Sequence, residues 1–369
     1  MAELKLLIVE DDPEQINVYK RDIKSFNLGS PIQIVEKILS DKEAAINVLD
    51  DSNEFFDAAI IDLKLDNEDY EDKDFSGNYV LRKIKGKLRF PVFVVTGTPQ
   101  HIADDLKEEN NLFKVKTRGE EDNLLQQLVE IYNTGITNIL GRKGEIENYL
   151  NNIFWKHLSN SIDAWISDSL RDPSQKEKSL LRYTLLHIHE YIDEDLEKYH
   201  PTEFYISKPI KANIFTGDIV LFEGSRYVVL TPSCDIIIRD NGTRNTNSIL
   251  FCKIKNLNEV IENFNALTAE TNKNNDNRKK LTRYIGNNGK QNYYFIPKSN
   301  VTDAGLIDFQ DQLTLSCNSV DEKITNGEMI RAATISVPFI KDIISRYSNY
   351  FGRQGSPDFN VEEVYKTLF

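Results

Sequence analysis

Side chains able to do chemistry stand at the ends of four apolar runs. "LLIV" ends in Glu10, Asp11 and Asp12, "DAAII" in Asp62, "PVFVV" in Thr96 and "LFKV" in Lys116. Converging carboxylates repel one another unless a cation neutralises them, and an all-oxygen donor set suits a hard ion such as Mg²⁺. A cation, a hydroxyl and a lone Lys around a solitary Asp make a site that accepts a phosphoryl group on that Asp. Taken singly, each residue reads equally well as a solvated loop acid, a sheet-end Thr or a surface Lys. Their joint order on successive runs favours the site.

These residues need a frame that brings strand ends together. The spacing predicts strands over 4–9, 32–38, 57–63, 91–96 and 112–116, with helices near 13–26, 41–51, 77–85, 100–109 and 120–132. Five strands alternating with five helices imply an α/β domain with a doubly wound, five-stranded parallel sheet. Ligands of such sheets gather at the carboxyl ends of the strands, where all four runs end.

On these motifs, residues 1–133 resemble the receiver domain of two-component response regulators, with its flavodoxin-like fold. The resemblance implies Asp62 as phosphoacceptor. It makes Glu10 and Asp11, with Asp62 and the Lys64 backbone carbonyl, the holders of Mg²⁺. Thr96 would be the switch hydroxyl, Lys116 the phosphoryl-pairing cation and Phe113 the aromatic switch position. It also implies a histidine kinase or phosphotransfer protein as partner. Two departures stand out. Thr117 follows Lys116 where the family carries Pro, and "LKLDNEDYEDKDFSG" after Asp62 is an acidic insertion with Asp66, Glu68, Asp69, Glu71, Asp72 and Asp74.

The net charge of −13 is unevenly placed: residues 1–133 hold 17 Lys and Arg against 28 Asp and Glu. Such a surface repels nucleic-acid phosphates. The sequence shows no leader pattern and no apolar run of membrane-spanning length, which predicts a cytoplasmic protein without a membrane partner. Cys234, Cys252 and Cys317 have no paired metal spacing and read as reduced, mostly buried thiols.

Beyond 133, the Gly breaks in "NTGITNILGRKG" mark a boundary. Residues 134–200 read as a helical connector. Ile146, Leu150, Ile153, His157 or Leu158, Ile162, Trp165 and Ile166 recur at helical spacing until Asp172-Pro173, and a second helix spans roughly 176–199. The hairpin reads either as a homodimerisation module through 145–199 or as packing for the last domain. In "HIHEYIDED", His187 and His189 point to different helix faces, which argues against zinc.

Residues 201–369 read as a β-rich, barrel-like output domain of short runs ending in a helix at 337–351, without a helix-turn-helix pattern. Two features offer chemistry there. "TPSCDI" places Thr231, Cys234 and Asp235 after a strand that begins near Arg226, and residues 217–235 resemble the first strands of MazF-type toxin endoribonucleases, which implies Arg226 and Thr231 as an RNA-cleaving pair. Residues 239–298 carry eleven Lys and Arg against five acids, with Arg278, Arg283 and Tyr293 among them, a mixture that suits single-stranded nucleic acid. The favoured reading is a phosphoacceptor signalling protein. Its rivals are a receiver-gated RNA-cleaving effector and a phosphate sink with a protein-binding output.

Overall fold

The computed structural model describes residues 2–65, 74–120, 122–192, 198–262, 264, 276–353 and 358–369. The chain divides into two compact units, Met1–Leu196 and Glu197–Phe369.

The first unit is built on a five-stranded parallel sheet of β1 (Ala2–Val9), β2 (Ile32–Leu39), β3 (Ala58–Ile61), β4 (Val92–Thr96) and β5 (Phe113–Thr117), in the order β2-β1-β3-β4-β5. Leu4, Leu6, Leu7, Ile8 and Val9 are all fully buried. That continuous burial explains why β1 reads as an unbroken apolar run rather than an alternating one: a central parallel strand is covered on both faces. Helices α1 (Pro13–Gly29) and α4 (Leu124–Tyr132) cover one face through Tyr19, Ile23, Leu124 and Leu128. On the other face, α2 (Lys42–Asp50) and α3 (Ser76–Lys87) pack through Ala45, Leu49, Val80, Leu81 and Ile84. Asp12 caps α1 by accepting from the Glu14 amide at 2.9 Å, with Pro13 opening the helix.

The helix expected near 100–109 is absent. Two single 3₁₀ turns, Pro99–His101 and Asp104–Leu106, take its place. Asn78, fully buried on α3, donates its side-chain amide to the His101 carbonyl and accepts from the Ala103 amide, both at 3.2 Å. These tertiary bonds satisfy backbone groups that an α-helix would have paired internally.

A helical hairpin completes this unit. After α5 (Ile136–Leu140), α6 (Glu145–Asn152) runs through a π-helical turn, Ile153–Leu158, into α7 (Ser159–Ile166). The second helix, α8 (Pro173–Ile192), starts earlier than expected because Asp172 and Gln175 bond each other's amides across its first turn. Asp172-Pro173 therefore opens the second helix, and the first ends six residues earlier. Residues 198–200 are not helical, which corrects the expected end at 199. An aromatic seam joins the two arms, with His157 Nε2 2.7 Å from the Tyr191 hydroxyl and the His157 and His187 rings 5.1 Å apart.

The second unit is an antiparallel sheet of seven strands: β6 (Tyr205–Ile206), β7 (Asp218–Phe222), β8 (Ser225–Val229), β9 (Ser248–Asn256), β10 (Tyr293–Ile296), β11 (Gly305–Ser316) and β12 (Met329–Ile335), ordered β10-β11-β9-β8-β7-β12-β6. The barrel-like expectation takes the form of a curled sheet, with no ladder between β10 and β6. The Tyr205 hydroxyl on β6 reaches the Pro297 carbonyl beyond β10 at 2.6 Å. Of the next four helices, α9 (Ser233–Ile236), α10 (Leu257–Val260), α11 (Asp276–Ile285) and α12 (Cys317–Thr325), α12 packs Cys317 and Val320 on one face of the sheet. On the other face α13 (Val337–Gly352) packs Ile340 and Ile343, and α14 (Val361–Leu368) ends the chain. All three cysteines are free, and Cys252 and Cys317 are buried.

Candidate functional site

Strand register sets the site. Val9 pairs with Ile61 across β1 and β3, so Glu10 and Asp62 leave the sheet side by side. Carboxylate oxygens of Glu10, Asp11 and Asp62 lie within 4.8 Å of one another. Glu10 and Asp62 are buried, and Asp11 is half-buried. Asp62 Oδ1 accepts from the Leu63 amide at 2.8 Å, while the Leu63 carbonyl accepts from Gly77 at 2.9 Å and so fixes the loop to the start of α3.

Burial, and next the neighbouring Asp62, push Glu10 up to about 7. Burial also raises Asp62, against the lowering effects of a hydrogen bond from Thr96 and of the Arg118 guanidinium. Thr96, buried at the end of β4, is thus brought to the phosphoacceptor candidate. Lys64 lies half-buried two residues beyond Asp62.

The cation at Asp62 is one that the sequence reading missed. Arg118 Nη2 donates to Glu10 Oε2 at 2.8 Å and Asp62 Oδ2 at 3.2 Å, and Nη1 lies 3.4 Å from Asp12 Oδ2. Lys116, half-buried on β5, forms no ion pair with Asp62. The signal was the missing Pro: with Thr117 in its place β5 stays in register with β4 through Thr96 and Thr117, and the Arg118 amide bonds the Thr96 carbonyl at 2.9 Å. The regular strand delivers Arg118 over the carboxyl edge. Phe113 stands at the other end of β5, buried, with Lys85 Nζ 4.4 Å from its ring centroid.

Of the acidic insertion, Asp66, Glu68, Asp69, Glu71 and Asp72 lie outside the described residues. Asp74 pairs with Arg82 at 2.7 Å.

The output candidates do not converge. Arg226 and Thr231 are five residues apart along an extended segment, on opposite faces and roughly 16 Å apart at strand rise. The Arg226 guanidinium is used structurally, bonding Thr302 at 2.9 Å, Asn256 at 2.7 Å and the Asp303 carbonyl. Thr231 Oγ1 accepts from the Leu250 amide at 2.6 Å, and its carbonyl accepts from Thr216. Cys234 is exposed, and its thiol lies 3.9 Å from Asp235 Oδ1, an acid that does nothing to favour a thiolate. In the basic stretch, Arg244 pairs with Asp321, Lys255 with Asp308, Lys279 with Asp276 and Lys298 with Asp303. Tyr293 is half-buried against Tyr284 rather than presented as a stacking platform. Arg278 and Arg283 lie on α11, half-buried and exposed respectively. Among the described residues no second cluster of metal ligands occurs, and no helix is long and apolar enough to cross a membrane.

No family model and no curated protein matches the chain. Solved structures do match its first third. The solution structure of the receiver domain of the response regulator PhyR from Erythrobacter litoralis is 19% identical, covering 36% of this chain and 92% of its own, at a TM-score of 0.27. The phosphorylated cyanobacterial phytochrome response regulator RcpA is 23% identical over 37% of this chain and 94% of its own, at 0.25. The Mn²⁺-bound response regulator Rcp1 is 24% identical over 36% and 91%, at 0.24. The strand order β2-β1-β3-β4-β5, with helices on both faces and acids at the carboxyl ends of β1 and β3, gives the first third of the chain the receiver fold.

Proposed function

We propose that this chain is a response-regulator-like signalling protein of the cytoplasm, phosphorylated on Asp62 by a histidine kinase or phosphotransfer protein. The observation that carries the reading is the convergence of Glu10, Asp11 and Asp62 oxygens at the carboxyl edge of the sheet. Three carboxylates with oxygen donors only fit a hard divalent cation, Mg²⁺ in this reading. Glu10, Asp11, Asp62 and the Lys64 carbonyl would hold such an ion, which would supply neutralising charge to the phosphoryl oxygens.

The chain's own groups do the rest. Asp62 Oδ1 is tied to the Leu63 amide, which leaves Oδ2 to attack phosphorus. An O–P bond forms as the P–N bond of the donor phosphohistidine breaks, and the electron pair leaves with the imidazole nitrogen, which takes a proton from solvent. In this reading Thr96, whose hydroxyl lowers the Asp62 carboxyl, and Lys116 meet the transferred oxygens, and Phe113 is the aromatic that reports the change along β5. The C-terminal unit is the output, and self-association through residues 145–199 is part of the proposal. Exposed Phe154, Trp155, Ile162 and Ile166 support that part, whereas Ile153 is buried within the chain.

The test is incubation of the full chain with Mg²⁺ and acetyl phosphate, read by intact mass. The wild type should gain one phosphoryl group and Asp62→Asn none. No uptake by the wild type, or equal uptake by Asp62→Asn, overturns the reading.

A further inference from the structure

We propose that Arg118 is a built-in competitor for the divalent cation, a guanidinium that occupies the cation position of the acidic site and withdraws when metal enters. The inference rests on the metal-binding reading above and adds a residue to it.

The geometry is specific. One nitrogen, Nη2, bonds both Glu10 Oε2 and Asp62 Oδ2, two oxygens of residues in the donor set that an ion would need. A donor bridging two carboxylates sits where a cation shared by them must sit. The same nitrogen covers Oδ2, the Asp62 oxygen left for attack on phosphorus. Arg118 therefore opposes both metal entry and phosphoryl transfer while it stays in place. Arginine remains charged throughout the physiological range, so the contest is one fixed positive charge against a divalent ion.

The arm is also built to leave. Its anchors are at the guanidinium tip: Nε is buried without a hydrogen-bond partner, so withdrawal breaks no bond there. The side chain is 28% exposed, which gives it a path to water. Gly119 follows at φ +91, a left-handed conformation at which glycine turns the chain without a Cβ penalty, and no atom lies within 4 Å of where that Cβ would stand. Asp12, whose Oδ1 caps α1, offers its other oxygen to Nη1 from the rim of the cluster.

The experiment titrates Mn²⁺ into the full chain and follows the free ion by electron paramagnetic resonance. Wild type, Arg118→Met, Arg118→Lys and Asp62→Asn are compared, with far-UV circular dichroism confirming the fold. Arg118→Met should bind Mn²⁺ at least tenfold tighter than the wild type, with Arg118→Lys in between because it keeps the charge and loses the fork. In chelator the Met variant should melt below the wild type and recover more on adding Mn²⁺. Equal affinities in the wild type and both Arg118 variants overturn the inference while leaving the metal site intact. Absence of binding in wild type and variants alike overturns both the inference and the metal reading. Should Arg118→Met fail to fold, Arg118→Lys decides by the same comparison with the wild type.

Discussion

Gly77 presses its α-carbon against the backbone that carries Asp62: a Cβ there would overlap the Asp62 carbonyl oxygen and lie 2.6 Å from Leu63 Cα. The obstacle is main chain, which cannot swing aside as a side chain can. Gly77→Ala should push the first turn of α3 off the phosphoacceptor loop and destabilise the first unit by about 1–3 kcal/mol. Hydrogen exchange across residues 58–65 should rise in the variant; unchanged protection would show that the loop tolerates a methyl group.

Stability of the first unit should depend on pH through Glu10. Its carboxyl titrates at about 7 in the folded chain against an ordinary 4.5. Because the folded value is the higher one, its contribution to stability is fully present below about 4.5 and is lost as pH rises through about 7. In chelator, unfolding should become easier across that window, by at most about 1.4 kcal/mol per pH unit. Glu10→Gln should flatten this dependence, measured by thermal melts at a series of pH values.

Asn78 is the buried side-chain tie between α3 and the two turns after Thr98, through His101 and Ala103, alongside the more exposed Arg82–Asp105 pair. Asn78→Ala should cost about 1–3 kcal/mol, since it leaves two half-buried backbone groups unpaired. Faster exchange of the Ala103 amide than of the β4 amides is the expected readout.

In the second unit, Asp218 is fully buried, paired with Arg331 Nε at 2.8 Å and bonded by Thr334 at 2.6 Å and by the Phe215 amide at 2.8 Å. Arg331→Met should destabilise this unit by about 3–5 kcal/mol because it leaves a buried carboxylate without its counter-charge. The loss should appear in the urea transition of the second unit and spare that of the first.

The sheet of the first unit was legible in its residues for a physical reason. A strand buried on both faces must be apolar throughout, and "LLIV", "AAII" and "VFVV" show it. Helices α1 and α2 were legible from their apolar periodicity. The missing helix after β4 was not: Ile102 and Leu106 are spaced as a helix would space them, and only the distant Asn78 diverts the backbone. Arg118 is not marked out by spacing, because Lys116 already supplies a cation at the end of β5, and the effect of Thr117 in keeping the strand in register shows only once β4 lies alongside. In the second unit strands were visible as short apolar runs, whereas the fate of Arg226 depended on Asn256 and Thr302, residues that sequence proximity does not connect to it.

The edges of the C-terminal sheet carry a consequence for behaviour in concentrated solution. β6 and β10 are its shortest strands, two and four residues long, and the Tyr205 hydroxyl spans the gap between them. A long bare edge is a template on which another chain adds a strand; β10 pairs only Gly305–Asp308 of β11 and β6 only Thr334 and Ile335 of β12, so among the described residues the short strands leave the rest of each long neighbour without a strand on that side. Strand addition by another chain would therefore meet the sheet at β11 beyond Asp308 or at β12 before Thr334, not at the two short edge strands.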